Sequence, residues 1–367
     1  MNARNVVAAH AAGFHGSYAP PDVEFLLRPI AITPVGIAEK ERLIQSGQRH
    51  YSEMLSAETA PSPAYAALYH SALDTGARRF GRDTAALALA LFQGTGQPVT
   101  LVSLVRAGVP LGVLLRRALV ELGADVAHFG ISIVRDRGID TVALDHVLAR
   151  RPADGLVFVD GWTGKGAIAS ELAASLAGHP TLSPRLVTLA DAAGRAWLSA
   201  SGEDWLIPSG ILGATVSGLT SRSVLNDALV GPGQFHACAV QSHLAEHDVS
   251  RTFVDTVWPH VQAALGSVEP AEWTDADRFA ARSAAEEAVA SVVARFGVMD
   301  RNRIKPGIAE ATRAVLRRVP ERVLITDPGE PDLAPLVALA SSSGVTLDVL
   351  GSALGPYRAI TLIRKVD

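Results

Sequence analysis

Between about residues 98 and 207 the chain alternates short apolar runs with amphipathic stretches. Residues 99–104, 126–134, 156–160, 186–191 and 205–207 read as strands, and 112–122 and 167–177 as helices. Leu156, Val157, Phe158 and Val159 are continuously apolar, which suits a central strand covered on both faces. Strands alternating with helices predict right-handed crossover units and a parallel sheet. Ahead of this region, residues 36–95 read mostly as helix, with alanine-rich amphipathic stretches at 37–46 and 64–80. Residues 1–25 carry little pattern and are expected to form an irregular arm. A glycine- and serine-rich stretch, PSGILGATVSGLTSRS, covers 208–223, after which the chain reads as helical to about Phe296. Residues 297–302 look like a linker. A small unit then follows, with helix 307–318, strand 322–326, helix 332–342 and strands 346–350 and 359–363. The division expected is an arm at 1–25, a main α/β domain at 26–296 and a small domain at 297–367.

Candidate chemistry concentrates where apolar runs end. Asp160 lies at the carboxyl end of a strand, where open α/β sheets place their ligands. Thr163-Gly164-Lys165-Gly166 and the start of the next helix would face a phosphate with backbone N–H groups. A Walker A loop would need glycine where Val159 stands, so that reading fails. Upstream, Ser103, Arg106, Ala107 and Gly108 form a second strand-to-helix loop. Gly108 would let backbone approach a pyrophosphate, and Arg106 would supply charge in fork geometry. Arg135 and Arg137 lie in a polar loop that could close over the same group.

Composition narrows the class. The chain has 367 residues, 48% hydrophobic and 19% charged, with net charge −4. That is a globular chain with a sizeable core and no global basic field for nucleic acid. A single cysteine excludes an intramolecular disulfide and a cysteine-rich zinc site. No apolar stretch approaches the ~18 residues of a membrane span, and no signal-peptide core is visible. A cytoplasmic protein is expected.

On the loops at 103–108 and 160–166 the chain resembles type I phosphoribosyltransferases of the orotate and uracil kind. In that family's diphosphoribose loop Asp160 matches the second acid and Thr163 the first hydroxyl, while Val159 and Gly166 depart from the pattern. Over residues 25–367 it resembles phosphoribosyltransferase–pelota fusions found with tellurium-resistance and stress-response genes. The match rests on SLVRAGVPLG, VDGWTGKGA, PSGILGATVSGLTSRSV and KPGIAEATRAVLRRVP. The same lineage is also described as cysteine proteases. The resemblance implies a phosphoribosyltransferase-like parallel sheet with helical N-terminal and connecting segments, plus a small pelota/L7Ae-like α/β domain. It implies phosphoribosyl pyrophosphate (PRPP) and Mg2+ as ligands, with Asp160 at the metal. Phosphoribosyl transfer to a base-like acceptor would then use Asp160, Arg106, Arg135 and Arg137. PRPP would lie on Ser103, Arg106, Ala107, Gly108, Asp160, Gly161, Thr163, Gly164, Lys165 and Gly166. The acceptor would meet Asp191, Ser217, Thr220, Ser221 and Arg222.

Two alternatives stay open. One is a non-catalytic protein that senses PRPP or a nucleotide and binds RNA. The other is a thiol hydrolase at Cys238, whose base could be His236 if both share one strand face. In the small domain, residues 305–313 resemble the RNA-binding helix start of pelota and L7Ae proteins: Gly307, Glu310 and Arg313 match, and Ala309 stands in place of the base-reading asparagine, while Arg317 shares a helix face with Arg313 and Lys305 lies near the helix start. Residues 301–322 carry seven Lys or Arg against two acids, which suits a structured RNA met through phosphates. A homodimer is also among the partners considered.

Overall fold

A computed structural model describes residues 13–95 and 98–365, so residues 1–12 of the expected arm lie outside the described part. The chain opens with two short strands, β1 (Glu24–Phe25) and β2 (Arg28–Pro29), and two helices, α1 (Ile37–Gln45) and α2 (Pro63–Gly94). Ser62 caps α2 by accepting from Tyr65 N–H, and Pro63 fits the first turn, where no amide is needed. Next come β3 (Val99–Leu104), α3 (Val109–Glu121), β4 (Val126–Ile131), the hairpin β5 (Ile133–Val134) and β6 (Gly138–Ile139), and α4 (Thr141–Leu148). They lead to β7 (Leu156–Val159), β8 (Trp162–Thr163), α5 (Ala167–Leu176), β9 (Leu186–Thr188), β10 (Ala190–Asp191) and β11 (Leu198–Ser199). The main sheet runs β1-β4-β3-β7-β9-β11, and every pairing in it is parallel.

Side-chain alternation explains the two layers of helix. Leu101, Val157, Val159 and Val187 face one core with α2, α3 and the later helix α6 (Ser250–Leu265). Val102, Leu104, Leu156, Phe158 and Leu186 face the other, with α4 and α5. Burial on both faces is why these strands are mostly apolar, with β7 an unbroken apolar run. Two expectations fail here. Residues 205–207 are not a strand; they run extended into a 3-10 turn at Pro208–Gly210 and pack on the C-terminal unit, with Leu206 N–H donating to Asp332 at 3.2 Å. Helix does not resume at 224 either. Gly231, Pro232 and Gly233 interrupt that stretch, and β12 (Ala237–Cys238) pairs with β2, so after a 3-10 turn at Ser242–His247 the α-helix begins only at Ser250.

The helix α7 (Asp275–Phe296) precedes the last unit: β13 (Ile304–Pro306), α8 (Ile308–Arg317), β14 (Pro320–Ile325), α9 (Ala334–Ser342), β15 (Thr346–Val349) and β16 (Ala359–Ile363). Its sheet runs β13-β16-β14-β15, parallel only between β14 and β15. Ile304, Leu324, Ile360 and Leu362 pack against α7, while Val323, Ile325 and Ala359 face α8 and α9. Ile308, Ala309, Ala311 and Val315 of α8 join the same core as Trp162, Trp205 and Ile211. This shared apolar contact turns the charged edge of α8 toward the carboxyl ends of the main sheet. Among the described residues no helix is long and apolar enough to cross a membrane.

Candidate anion-binding cleft

A cavity of about 530 Å3 lies between the main sheet and α8. Ten lysines and arginines line it against four carboxylates, Glu41, Asp160, Asp300 and Glu310. Its base is the β3–α3 loop. Arg106 is 5% exposed, donates to Thr220 O at 2.8 Å and pairs with Glu58. Burial works against the Glu58 carboxylate, but Arg106 and Arg317 outweigh it and hold the group at about 2. Asp160 is pushed up to about 7 by burial; one oxygen accepts from Gly161 N–H at 2.8 Å, and the Arg313 charge opposes the shift.

The TGKG loop forms one wall. Gly166 caps α5 with φ of 82°, a left-handed conformation that favours glycine, and an added Cβ would lie 2.5 Å from Arg195 Cγ. Among the described residues nothing accepts from the N–H groups of Gly164, Lys165 or Gly166, so these donors and the positive helix end stay free. Lys165 Nζ donates to the carbonyls of Arg301 and Ile304, and Tyr357 O–H donates to Gly164 O at 2.8 Å. Helix α8 is the opposite wall. Arg313 lies over the Trp162 ring, 4.4 Å from its centroid, and donates to Gly210 O at 3.3 Å. Arg318 pairs with Glu41 of α1.

The cations are crowded. The side chains of Lys40, Lys305 and Arg317 line the cleft with no hydrogen-bond or ion-pair partner among the described residues. Burial and then neighbouring arginines lower Lys40 to about 8; burial lowers Lys305 to about 7, with Arg318 and Lys165 adding to the fall. Burial and then Arg106 lower Arg317 to about 9 and Arg313 to about 10. Such crowding of mutually repelling cations suits an anionic partner.

The expected residues divide. Arg106, Ala107, Arg135, Asp160, Thr163, Gly164, Lys165, Gly166, Arg222, Lys305, Glu310, Arg313 and Arg317 all line this one cleft. The PRPP-loop and RNA-helix residues, expected at two separate sites, therefore share one site. Several others do not reach it. Ser103 is fully buried and bonds His128 at 2.7 Å and Gly108 O at 3.1 Å. Gly108 serves packing instead of ligand approach, since a Cβ there would lie 2.0 Å from Val159 O. Gly161 likewise sits against Ala107 O, 3.0 Å from an added Cβ. Arg137 turns away to Glu53 at 2.6 Å. Gly307 starts α8, whose Ile308 N–H donates to Asp204 at 2.9 Å.

The acceptor group is not assembled as expected. Asp191 is fully buried and accepts from Thr163, Arg195 N–H, Ala196 N–H and Trp273 Nε1. Ser217, Thr220 and Ser221 spend their hydroxyls on nearby carbonyls. Only Arg222 of that set faces the cleft, where it also donates to Tyr51 O at 2.6 Å. Lys40, Glu41 and Glu58 carried no motif that marks them in sequence. As a magnesium site the donors fit poorly: Asp160 is one carboxylate among arginines. Among the described residues no three His, Cys, Asp or Glu side chains cluster for a metal.

The single cysteine lies elsewhere. Cys238 is fully buried in β12, and burial pushes its thiol up to about 12. His236, just before β12, bonds Ser132 Oγ at 2.8 Å through Nδ1, and its backbone N–H donates to Asp140.

Comparison with known proteins gives the lineage. Residues 16–258 match the model of "Tellurite-like stress resistance cysteine protease StiP", and 283–365 match the PELOTA RNA binding domain. A protein of Acinetobacter baylyi named "Cysteine protease StiP" is 45% identical over 365 residues, spanning 96% of this chain and 95% of that protein. A solved archaeal alanine:glyoxylate aminotransferase aligns over 89% of each chain at 11% identity with a TM-score of 0.21, too low to bear on fold or function. The expected phosphoribosyltransferase activity is overturned: family and relative are named as cysteine proteases, not transferases. By the family model and this full-length relative, the chain belongs to the StiP family of tellurite-like stress resistance proteins.

Proposed function

We propose that this chain acts in stress resistance by holding the phosphates of RNA in the cleft between its parallel sheet and its C-terminal domain. The observation that carries this is the set of partnerless cations, Lys40, Lys305 and Arg317, two of which come from the stretch matched by the RNA-binding model. Such contacts make affinity salt-dependent: engaging about three phosphates on a single strand gives a slope of about −2 in log K against log salt. Anisotropy with a short single-stranded RNA between 50 and 200 mM salt, on wild type and on Lys305→Glu/Arg317→Glu, tests it. Affinity should fall about 16-fold across that range and collapse in the double variant. Salt-independent binding, or binding indifferent to the variant, refutes the reading.

A second reading comes from the relative's name, cysteine protease. In this sequence its nucleophile would be Cys238, which would have to leave the core and lose its proton before attacking a carbonyl. Hydrolysis of unfolded protein that vanishes in Cys238→Ala would establish it. Activity unchanged in that variant would remove it.

A further inference from the structure

Resting on the RNA reading, we infer that the cleft takes RNA by a phosphomonoester end, and not by a phosphodiester within the strand. The C-terminal unit is tied to the rest of the chain at two flanks of the cleft. On one, Lys165 Nζ reaches the carbonyls of Arg301 and Ile304, and Tyr357 O–H reaches Gly164 O at 2.8 Å. On the other, Arg318 clasps Glu41 of α1, with one bond at 2.8 Å. Below, Arg106 is fixed to Thr220 O and Glu58. A strand continuing past the site in both directions would have to break one of these bridges, whereas an end enters and stops.

The donors fit the same answer. A phosphomonoester carries nearly two charges and three terminal oxygens, a diester one charge and two. The cleft offers the free N–H groups of Gly164 to Gly166 and the unpartnered amines of Lys40 and Lys305. Lys40 is 6% exposed, and the Nε of Arg106 is buried without an acceptor. A diester leaves more of them unmet than a monoester does.

The test compares four RNAs of one sequence on the full chain: 5′-phosphorylated, 3′-phosphorylated, hydroxyl at both ends, and covalently circular. At least one phosphorylated form should bind ten-fold or more tighter than the hydroxyl-ended and circular forms; which one names the end. Lys305→Met should reduce that preference to about two-fold while the circular form changes little. Equal binding of circular and phosphorylated RNA overturns the end inference but leaves the RNA reading standing. Failure of all four to bind overturns both.

Discussion

Lys40 offers the sharpest energetic test of a ligand-completed site. Its side chain is largely buried on α1, its amine has no hydrogen-bond or ion-pair partner among the described residues, and it lies in the field of Arg222, Arg318 and Arg317. Burial first, and those charges next, bring it from 10.5 to about 8. That fall corresponds to about 3 kcal/mol against the charged form. Lys40→Met keeps the apolar stem and removes the charge. The free protein should gain about 1–3 kcal/mol at pH 7, part of the penalty being shared with the other cations. The sign has a pH window. The unfolded chain keeps the proton up to 10.5 and the folded chain only to about 8, so the penalty is full below pH 8 and fades between 8 and 10.5. Urea unfolding at pH 7 and pH 10 should show a clear gain at the first and little at the second. RNA affinity should fall about ten-fold, the worth of one charged hydrogen bond. A variant less stable at pH 7 with affinity intact would refute the reasoning, because Lys40 would then be serving the fold.

Three further predictions follow from the same geometry. Cys238 in the native protein should resist alkylation at pH 8 and react on unfolding, since its thiol titrates near 12; fast native labelling, read by mass spectrometry, would contradict the buried placement. Glu58→Gln should cost about 3 kcal/mol or less at neutral pH. Because the folded carboxyl titrates near 2, the gap to wild type should close as pH falls from 4.5 through 2, as followed by circular dichroism. Gly108→Ala puts a methyl 2.0 Å from Val159 O and should destabilise by about 3 kcal/mol or more; an unchanged melting temperature would show that β7 and α3 can separate freely.

Much of the layered fold was legible because β3, β7 and β9 are covered on both faces and are therefore mostly apolar, β7 without a break. The TGKG loop was legible because Gly166 needs its left-handed backbone. What stayed hidden was tertiary. Arg313 and Arg317 share a helix face, and sequence spacing says nothing about whether that face meets solvent or a second domain. The apolar side of α8 decides it by packing on Trp162 and Ile211. Glu58 sits in a loop with no motif and acquires its role only through Arg106 and Ala214 N–H. Ser103 and Gly108 carried the right residue types for a ligand loop, yet their surroundings spend them on His128 and Val159 O. The chemistry of Cys238 followed from burial, which a lone cysteine does not announce.

Structures of the chain with a 5′-phosphorylated and with a 3′-phosphorylated dinucleotide test the central claim most directly, one of them being expected to occupy the cleft. The account predicts a phosphate between the Gly164–Gly166 N–H groups and Lys305, with Arg317 within hydrogen-bond reach of the ligand. Nucleotide bound only outside this cleft, with Lys40, Lys305 and Arg317 untouched, would contradict it.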